Sequence, residues 1–180
     1  MRHAAHREID PGVAGVIAAI DDPNPVIFME HKQLYRSIKG EVTDDWFRGE
    51  LGKAAVVRSG AKATIVTYGA CVHWALEMVD STGADVEVID LRTLVPLDEE
   101  TILASIKKTG RALVLHEATL TGGFGAEIAA RIGEAAFEYL DAPVTRLAAR
   151  DTPVPFSKVL EAGFLPKARL ASSLEALLAY

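Results

Sequence analysis

From Thr64 onward, short β-rich runs alternate with segments of helical period, and this alternation limits the fold more than any other feature of the chain. TIVTYG (64–69) predicts a strand that ends in glycine. A helix over 71–82 follows, with Val72, Ala75, Leu76 and Val79 on one face and Gly83 as its stop. ADVEVIDL (84–91) is the next strand. Asp98 is placed to cap a helix whose first turn holds Glu99 and Glu100 and whose last turn holds Lys107 and Lys108. Those charges complement the helix dipole at both ends, and Gly110 closes it. ALVLHEA (112–118) is a third strand, and a glycine-rich turn then opens a long helix to Leu140. Its inward stripe is Phe124, Ile128, Ile132, Ala135, Ala136 and Tyr139. VTRLAA (144–149) is a fourth strand, DTPVP (151–155) is a rigid turn, and the closing helix carries Leu170, Leu174, Leu177 and Leu178 on one side. This order predicts a three-layer α/β/α domain around a mainly parallel, mixed sheet of about five strands, with right-handed crossovers.

The stretch before this domain reads differently. Residues 11–20 predict a short helix with Pro11 at its first position. DDPNP (21–25) ends it, and VIFMEH (26–31) reads as a strand. Residues 32–63 are polar, glycine-punctuated and charged in both signs, with Trp46 and Phe47 in the middle and a short strand possible at Ala55–Arg58. The expected division is therefore a remnant helix and strand of a preceding domain plus a connector over 1–63, and an α/β domain over 64–180.

Charge and composition narrow the function classes. A formal charge of −6 disfavours nucleic acid, because phosphate binding needs an excess of Lys and Arg. No apolar run reaches the ~20 residues a membrane span requires. The opening MRHAAHREIDPGVAGVIAAI is broken by Glu8 and Asp10 and lacks a cleavage-type site, unlike a signal peptide. The single cysteine, Cys71, excludes an internal disulfide framework and suits a reducing compartment, either cytoplasm or an organelle matrix such as that of mitochondria.

The local feature closest to chemistry is HEATLTGGFGAEI (116–128). His116 and Glu117 sit at the carboxyl end of a strand, where ligands gather in such sheets, and Gly122, Gly123 and Gly125 precede a helix amino terminus. The spacing is neither a dinucleotide fingerprint nor a Walker loop, so close packing of helix on sheet competes with anion binding as the role of these glycines. Glu30 and His31 read either as an acid/base pair or as a strand end meeting solvent or a partner chain. The five histidines (3, 6, 31, 73 and 116) show no metal-ligand spacing, and Asp90, Arg92 and Asp98 suggest a local ion-pair network. Cys71, at the start of a helix among apolar residues, reads as a buried structural thiol.

Longer motifs add a resemblance. EVIDLRTLVPLDEETI (87–102), KKTGRALVLHEATLTGGFGAEIAA (107–130) and LDAPVTRLAARDTPVPF (140–156), with NPVIFMEHKQLYR (24–36), resemble in order and spacing the β subunits of thiamine-diphosphate-dependent 2-oxo acid dehydrogenases. The resemblance runs from Gly12 to Tyr180 and implies a fold like the transketolase carboxy-terminal domain. It also implies an oxidoreductase in which an α subunit and a second β subunit assemble with thiamine diphosphate and magnesium at the α–β interface. The family's cofactor-binding glutamate lies in the amino-terminal half of the β subunit, which has no counterpart in this sequence. The resemblance therefore carries over no catalytic, cofactor or metal residue, and the isolated chain is expected to bind no cofactor and to be inactive. HEA followed by LTGGF is closer to branched-chain enzymes than to pyruvate enzymes.

The family further implies docking of the subunit-binding domain of a lipoyl acyltransferase. Glu138, Asp141 and the main-chain carboxylate of Tyr180 are the acidic groups proposed to meet it. A two-fold homodimer is expected of the chain alone. Two rival readings stay open: the same domain within transketolase or a deoxyxylulose-phosphate synthase, and a free-standing small-ligand or anion-binding module using the crevice near His116.

Overall fold

The computed structural model describes residues 11–39 and 49–180; His3, His6, Glu8, Asp10, Trp46 and Phe47 lie outside the described residues. Five strands form one sheet in the order β1-β3-β2-β4-β5. These are β1 (Ala55–Arg58), β2 (Ala63–Thr67), β3 (Val86–Asp90), β4 (Ala112–Thr119) and β5 (Thr145–Ala149). The pairs β2–β3, β2–β4 and β4–β5 are parallel. β1 pairs antiparallel with β3, Ala55 opposite Asp90, so the short run in the connector supplies an edge of the sheet. The sheet is mixed but mainly parallel, as the alternating pattern requires.

Helices cover both faces. On one, α3 (Ala70–Thr82) and α7 (Leu170–Leu178) bury Cys71, Ala75, Val79, Leu170, Leu174 and Leu177 against Ile65, Val88, Leu113 and Leu115. On the other, α4 (Glu99–Thr109) and α5 (Gly125–Ala136) bury Ile102, Ile106, Ile128 and Ile132 against Val66, Ile89 and Val114. The period-2 alternation of β2, β3 and β4 decides which residue meets which helix layer.

The helix ends follow their sequence signals. The Asp98 carboxylate accepts the Thr101 N–H at 3.2 Å and the Ala54 N–H at 2.9 Å, stitching the α4 start to the connector. Burial opposes its charge, yet the bonds from Ala54 and Thr101 outweigh it and hold the carboxyl below the usual range. Asp98 is therefore a cap. It does not join Arg92, whose guanidinium lies 3.9 Å from Asp90 instead. Gly83 and Gly110 end α3 and α4 in the left-handed conformation, φ 66° and 68°.

The structure corrects four expectations. Residues 26–31 form no strand and belong to no sheet; their β-rich composition has no strand beside it among the described residues. α5 stops at Ala136 and tightens into a 3-10 turn over Phe137–Tyr139. The buried row is Ile128, Ile132 and Ala136 at i, i+4 spacing, which leaves Ala135 on the solvent side, and Tyr139 in the 3-10 turn is also exposed. An additional helix, α6 (Lys158–Phe164), follows the DTPVP turn, burying only Phe164 and leaving Val159 and Leu160 exposed. The leading helices are α1 (Pro11–Asp21) and the single turn α2 (Leu34–Ser37).

Candidate functional site

The chain runs from β2 outward to β3 and then steps back across β2 to β4. In an open α/β sheet, such a reversal opens a crevice beyond the carboxyl ends of the two flanking strands. Here those ends carry Thr67 and Tyr68 after β2, and His116 and Glu117 on β4.

His116 points to the α4/α5 side, where its ring stacks on Tyr68 with centroids 6.4 Å apart and planes within 9°. It has no exposed surface, and neither ring nitrogen makes a well-formed hydrogen bond; the Ala118 backbone is its nearest polar support. Burial pushes its pKa down, outweighing the opposing pull of the Ala118 backbone, and the charge of Arg146 adds a smaller push in the same direction as burial. The glycines explain the burial. A Cβ on Gly125 would lie 2.2 Å from His116 Cδ2, and one on Gly123 would lie 2.4 Å from both His116 Cε1 and the Thr119 carbonyl oxygen. Gly123 and Gly125 are therefore spaces filled by an imidazole.

Glu117 points to the opposite face and does not meet His116. Its carboxylate lies 3.0 Å from His31 Nε2, across 86 residues of sequence. Glu30 turns away to accept the Tyr35 hydroxyl, so Glu30 and His31 form no acid/base pair. Thr67 Oγ1 is buried near Cys71, whose thiol is pushed up by burial and then by the charge of Glu117, with Thr67 opposing. A fully buried thiol held in that state is not a nucleophile. Cys71 in the folded chain should react with a disulfide reagent at pH 8 on the order of 100-fold more slowly than in urea, since reaction needs an opening of the α3 core. Equal rates in the two states would contradict this placement.

The acidic residues lie elsewhere. Glu138 sits exposed in the 3-10 turn after α5. Asp141 is three residues on; its N–H reaches the Gly110 carbonyl at 2.7 Å and its carboxylate lies 3.8 Å from Arg111. Ala142 belongs to the same core cluster as Leu170, Leu174 and Leu177. Tyr180 is exposed beyond α7, and no hydrogen bond or ion pair joins it to Glu138 or Asp141. Among the described residues no group of His, Cys, Asp and Glu side chains could hold a metal ion, and no helix is long and apolar enough to cross a membrane.

Sequence reasoning did not find the His31–Glu117 contact, and only spatial proximity reveals it. A buried polar network was also missed. Glu87, 3% exposed, accepts Ser105 Oγ at 2.6 Å and Lys108 Nζ, while Thr64 Oγ1 lies 2.7 Å from both Ser105 Oγ and Thr109 Oγ1. Its only sequence signal is a glutamate inside an otherwise apolar strand.

Residues 52–169 match the family described as Transketolase, C-terminal domain. The chain is 48% identical over 154 residues to the pyruvate dehydrogenase E1 component subunit beta of Bacillus subtilis, a match covering 84% of this chain and 47% of the relative. It is 44% identical over 159 residues to the 2-oxoisovalerate dehydrogenase subunit beta of Pseudomonas aeruginosa, covering 79% and 45%. The chain thus spans about half the length of the curated relatives it matches. Among solved structures it is similar to a split gene transketolase described as an inactive beta4 tetramer, with TM-score 0.63 and 26% identity over 77% of this chain and 45% of that one.

Proposed function

We propose, from the premise that this chain belongs to the transketolase carboxy-terminal domain family, that it acts as the assembly domain of the β subunit of a thiamine-diphosphate-dependent 2-oxo acid dehydrogenase. The observation that carries the reading is the 43–48% identity to bacterial β subunits of pyruvate and 2-oxoisovalerate dehydrogenases, extending over most of the chain. Both substrate names occur among these relatives, and the HEA–LTGGF segment (116–124) is our reason for favouring branched-chain 2-oxo acids such as 2-oxoisovalerate.

The described residues do not fit the cofactor. His116 fills the space behind the glycine-rich turn, and Glu117 is bound to His31 rather than presented to a ring nitrogen. Thiamine chemistry needs a carboxylate beside the ring and a dry cavity; in this reading the carboxylate belongs to the amino-terminal half of the β subunit and the cavity closes against the α subunit. What this domain supplies is a rigid body, with the α subunit and a second β subunit as its neighbours and the cytoplasm or mitochondrial matrix as its compartment. Alone, it forms a two-fold dimer.

The acyltransferase docks at the Glu138–Asp141 corner, with the main-chain carboxylate of Tyr180 as a third acidic group. Arg111 already engages Asp141, which leaves Glu138 as the cleaner probe. A basic subunit-binding domain should bind the chain, and binding should weaken as salt rises. Glu138→Lys should slow association more than Glu50→Lys in the connector; equal effects would mean only general attraction and would remove the docking site. In parallel, the pure chain with thiamine diphosphate and magnesium should give no binding heat and no dye reduction with pyruvate or 2-oxoisovalerate. Turnover by the pure chain would overturn the assembly reading.

A further inference from the structure

Two arginines come together where β5 meets the carboxyl end of α6. Arg150 follows the last residue of β5; its N–H reaches the Phe164 carbonyl at 3.2 Å and its Nε reaches the Gly163 carbonyl at 3.0 Å. Arg169 ends the 3-10 turn Lys167–Arg169 and donates from Nη2 to the Ala148 carbonyl at 2.6 Å. Main-chain carbonyls thus fix the direction of both guanidiniums without cancelling their charge. Among the described residues neither forms an ion pair with a carboxylate. Asp151, next in sequence, is taken by the Thr121 N–H at 2.8 Å and the Thr121 hydroxyl at 2.7 Å. Arg169 Nε is buried and donates to no acceptor. Burial, and then the charge of Arg150, push the Arg169 pKa down, so each cation stands in the field of the other. A half-buried cation beside a second one, with a donor left over, is costly unless an anion completes it. General basicity does not account for the pair, because the chain carries a formal charge of −6.

We propose that Arg150 and Arg169 together bind the phosphate group of a small molecule. Each guanidinium uses one N–H on its carbonyl anchor, and the donors that remain form a fork suited to an oxyanion. A phosphate group carries about −1.5 to −2 near neutral pH and offers three acceptor oxygens, which matches two cations. A single carboxylate would neutralise one arginine and leave the other uncompensated. Arg150 is exposed and Arg169 half-buried, so the anion arrives from solvent on the Arg150 side and one of its oxygens reaches inward to Arg169. Because both side chains are already held in place, little ordering cost is added on binding. The site plays no part in the assembly reading and stands without it.

The test titrates the full chain with inorganic phosphate by calorimetry at low ionic strength, where one phosphate should bind per chain. Arg150→Gln should weaken binding about tenfold, the loss of a charge-assisted contact. Arg169→Lys should weaken it about threefold, because an ammonium keeps the charge and loses the fork. Arg36→Gln, the same change at an exposed arginine of α2, should leave the affinity unchanged. Urea midpoints in phosphate-free buffer separate lost binding from lost folding, and the exposed Arg150 is the position least able to disturb the fold. A nucleoside 5′-monophosphate that binds more tightly than inorganic phosphate, with the same dependence on Arg150, would support the site and place the phosphate on a metabolite. Tighter binding of inorganic phosphate would support it with the free ion as ligand. Absence of binding by both, or an equal loss in Arg36→Gln, would overturn the site. Succinate binding as tightly as phosphate would overturn the phosphate assignment and give the two arginines to carboxylates instead.

Discussion

Truncating Glu87 to alanine should destabilise the domain by about 3 kcal/mol at pH 7, seen as a lower urea midpoint with an unchanged slope. Glu87 lies on β3 facing α4, where its carboxylate is removed from water and accepts from Ser105 and Lys108. Breaking a buried pair from one side costs about 3–5 kcal/mol, because the remaining partner is left uncompensated. The lower end applies here, since the Lys108 side chain is 48% exposed and can turn to water. Glu87→Gln keeps the shape and the Ser105 bond, so it should cost about half as much. The pH dependence follows from the direction of the shift. Burial alone would raise this carboxyl, but the Lys108 and Ser105 bonds outweigh it and hold the folded-state pKa below the ordinary value. The unfolded chain therefore takes up the proton first as pH falls, so the stabilisation is fully present above about pH 4.3 and is lost as pH drops through the folded-state value. The gap between the native chain and Glu87→Gln should be widest near neutrality and close in acid. A gap independent of pH would mean that the charge contributes nothing.

Glu87 also marks where sequence reading stops. The parallel strands, the faces of α3 and α7, and the caps at Asp98, Gly83 and Gly110 were legible because each rests on neighbours within a few residues. A buried glutamate beside Ser105 and Lys108 depends on which helix the topology lays over β3, and no local period carries that information. The same holds for His31, whose partner Glu117 is 86 residues away. VIFMEH failed in the other direction. It has the composition of a strand, but a strand exists only where another edge accepts its hydrogen bonds. The end of α5 was misjudged because a helix that tightens to 3-10 at Phe137 changes period without changing composition.

The glycine-rich turn gives the sharpest test of packing against anion binding. Gly125→Ala should destabilise the chain by about 2–3 kcal/mol, although alanine is the better helix former and contributes up to about 1 kcal/mol in its favour. The new methyl group would lie 2.2 Å from a His116 ring that has nowhere to go, stacked on Tyr68 and fully enclosed. His116→Ala alone should cost about 2 kcal/mol. It leaves a cavity, but it also removes a buried imidazole without a well-formed hydrogen bond, which offsets part of the loss. In the double variant the methyl group enters the space that the ring has left, so Gly125→Ala should become nearly neutral, with a coupling of about 2 kcal/mol. Gly123→Ala should behave differently. Its Cβ meets the Thr119 carbonyl oxygen as closely as it meets the ring, so removing His116 cannot rescue it. If the turn existed to admit a phosphate, Gly125→Ala would cost the same with and without the ring. The combination of rescue at 125 and no rescue at 123 is the signature of a helix fitted onto a buried histidine, and urea titrations of the three single and two double variants would read it directly.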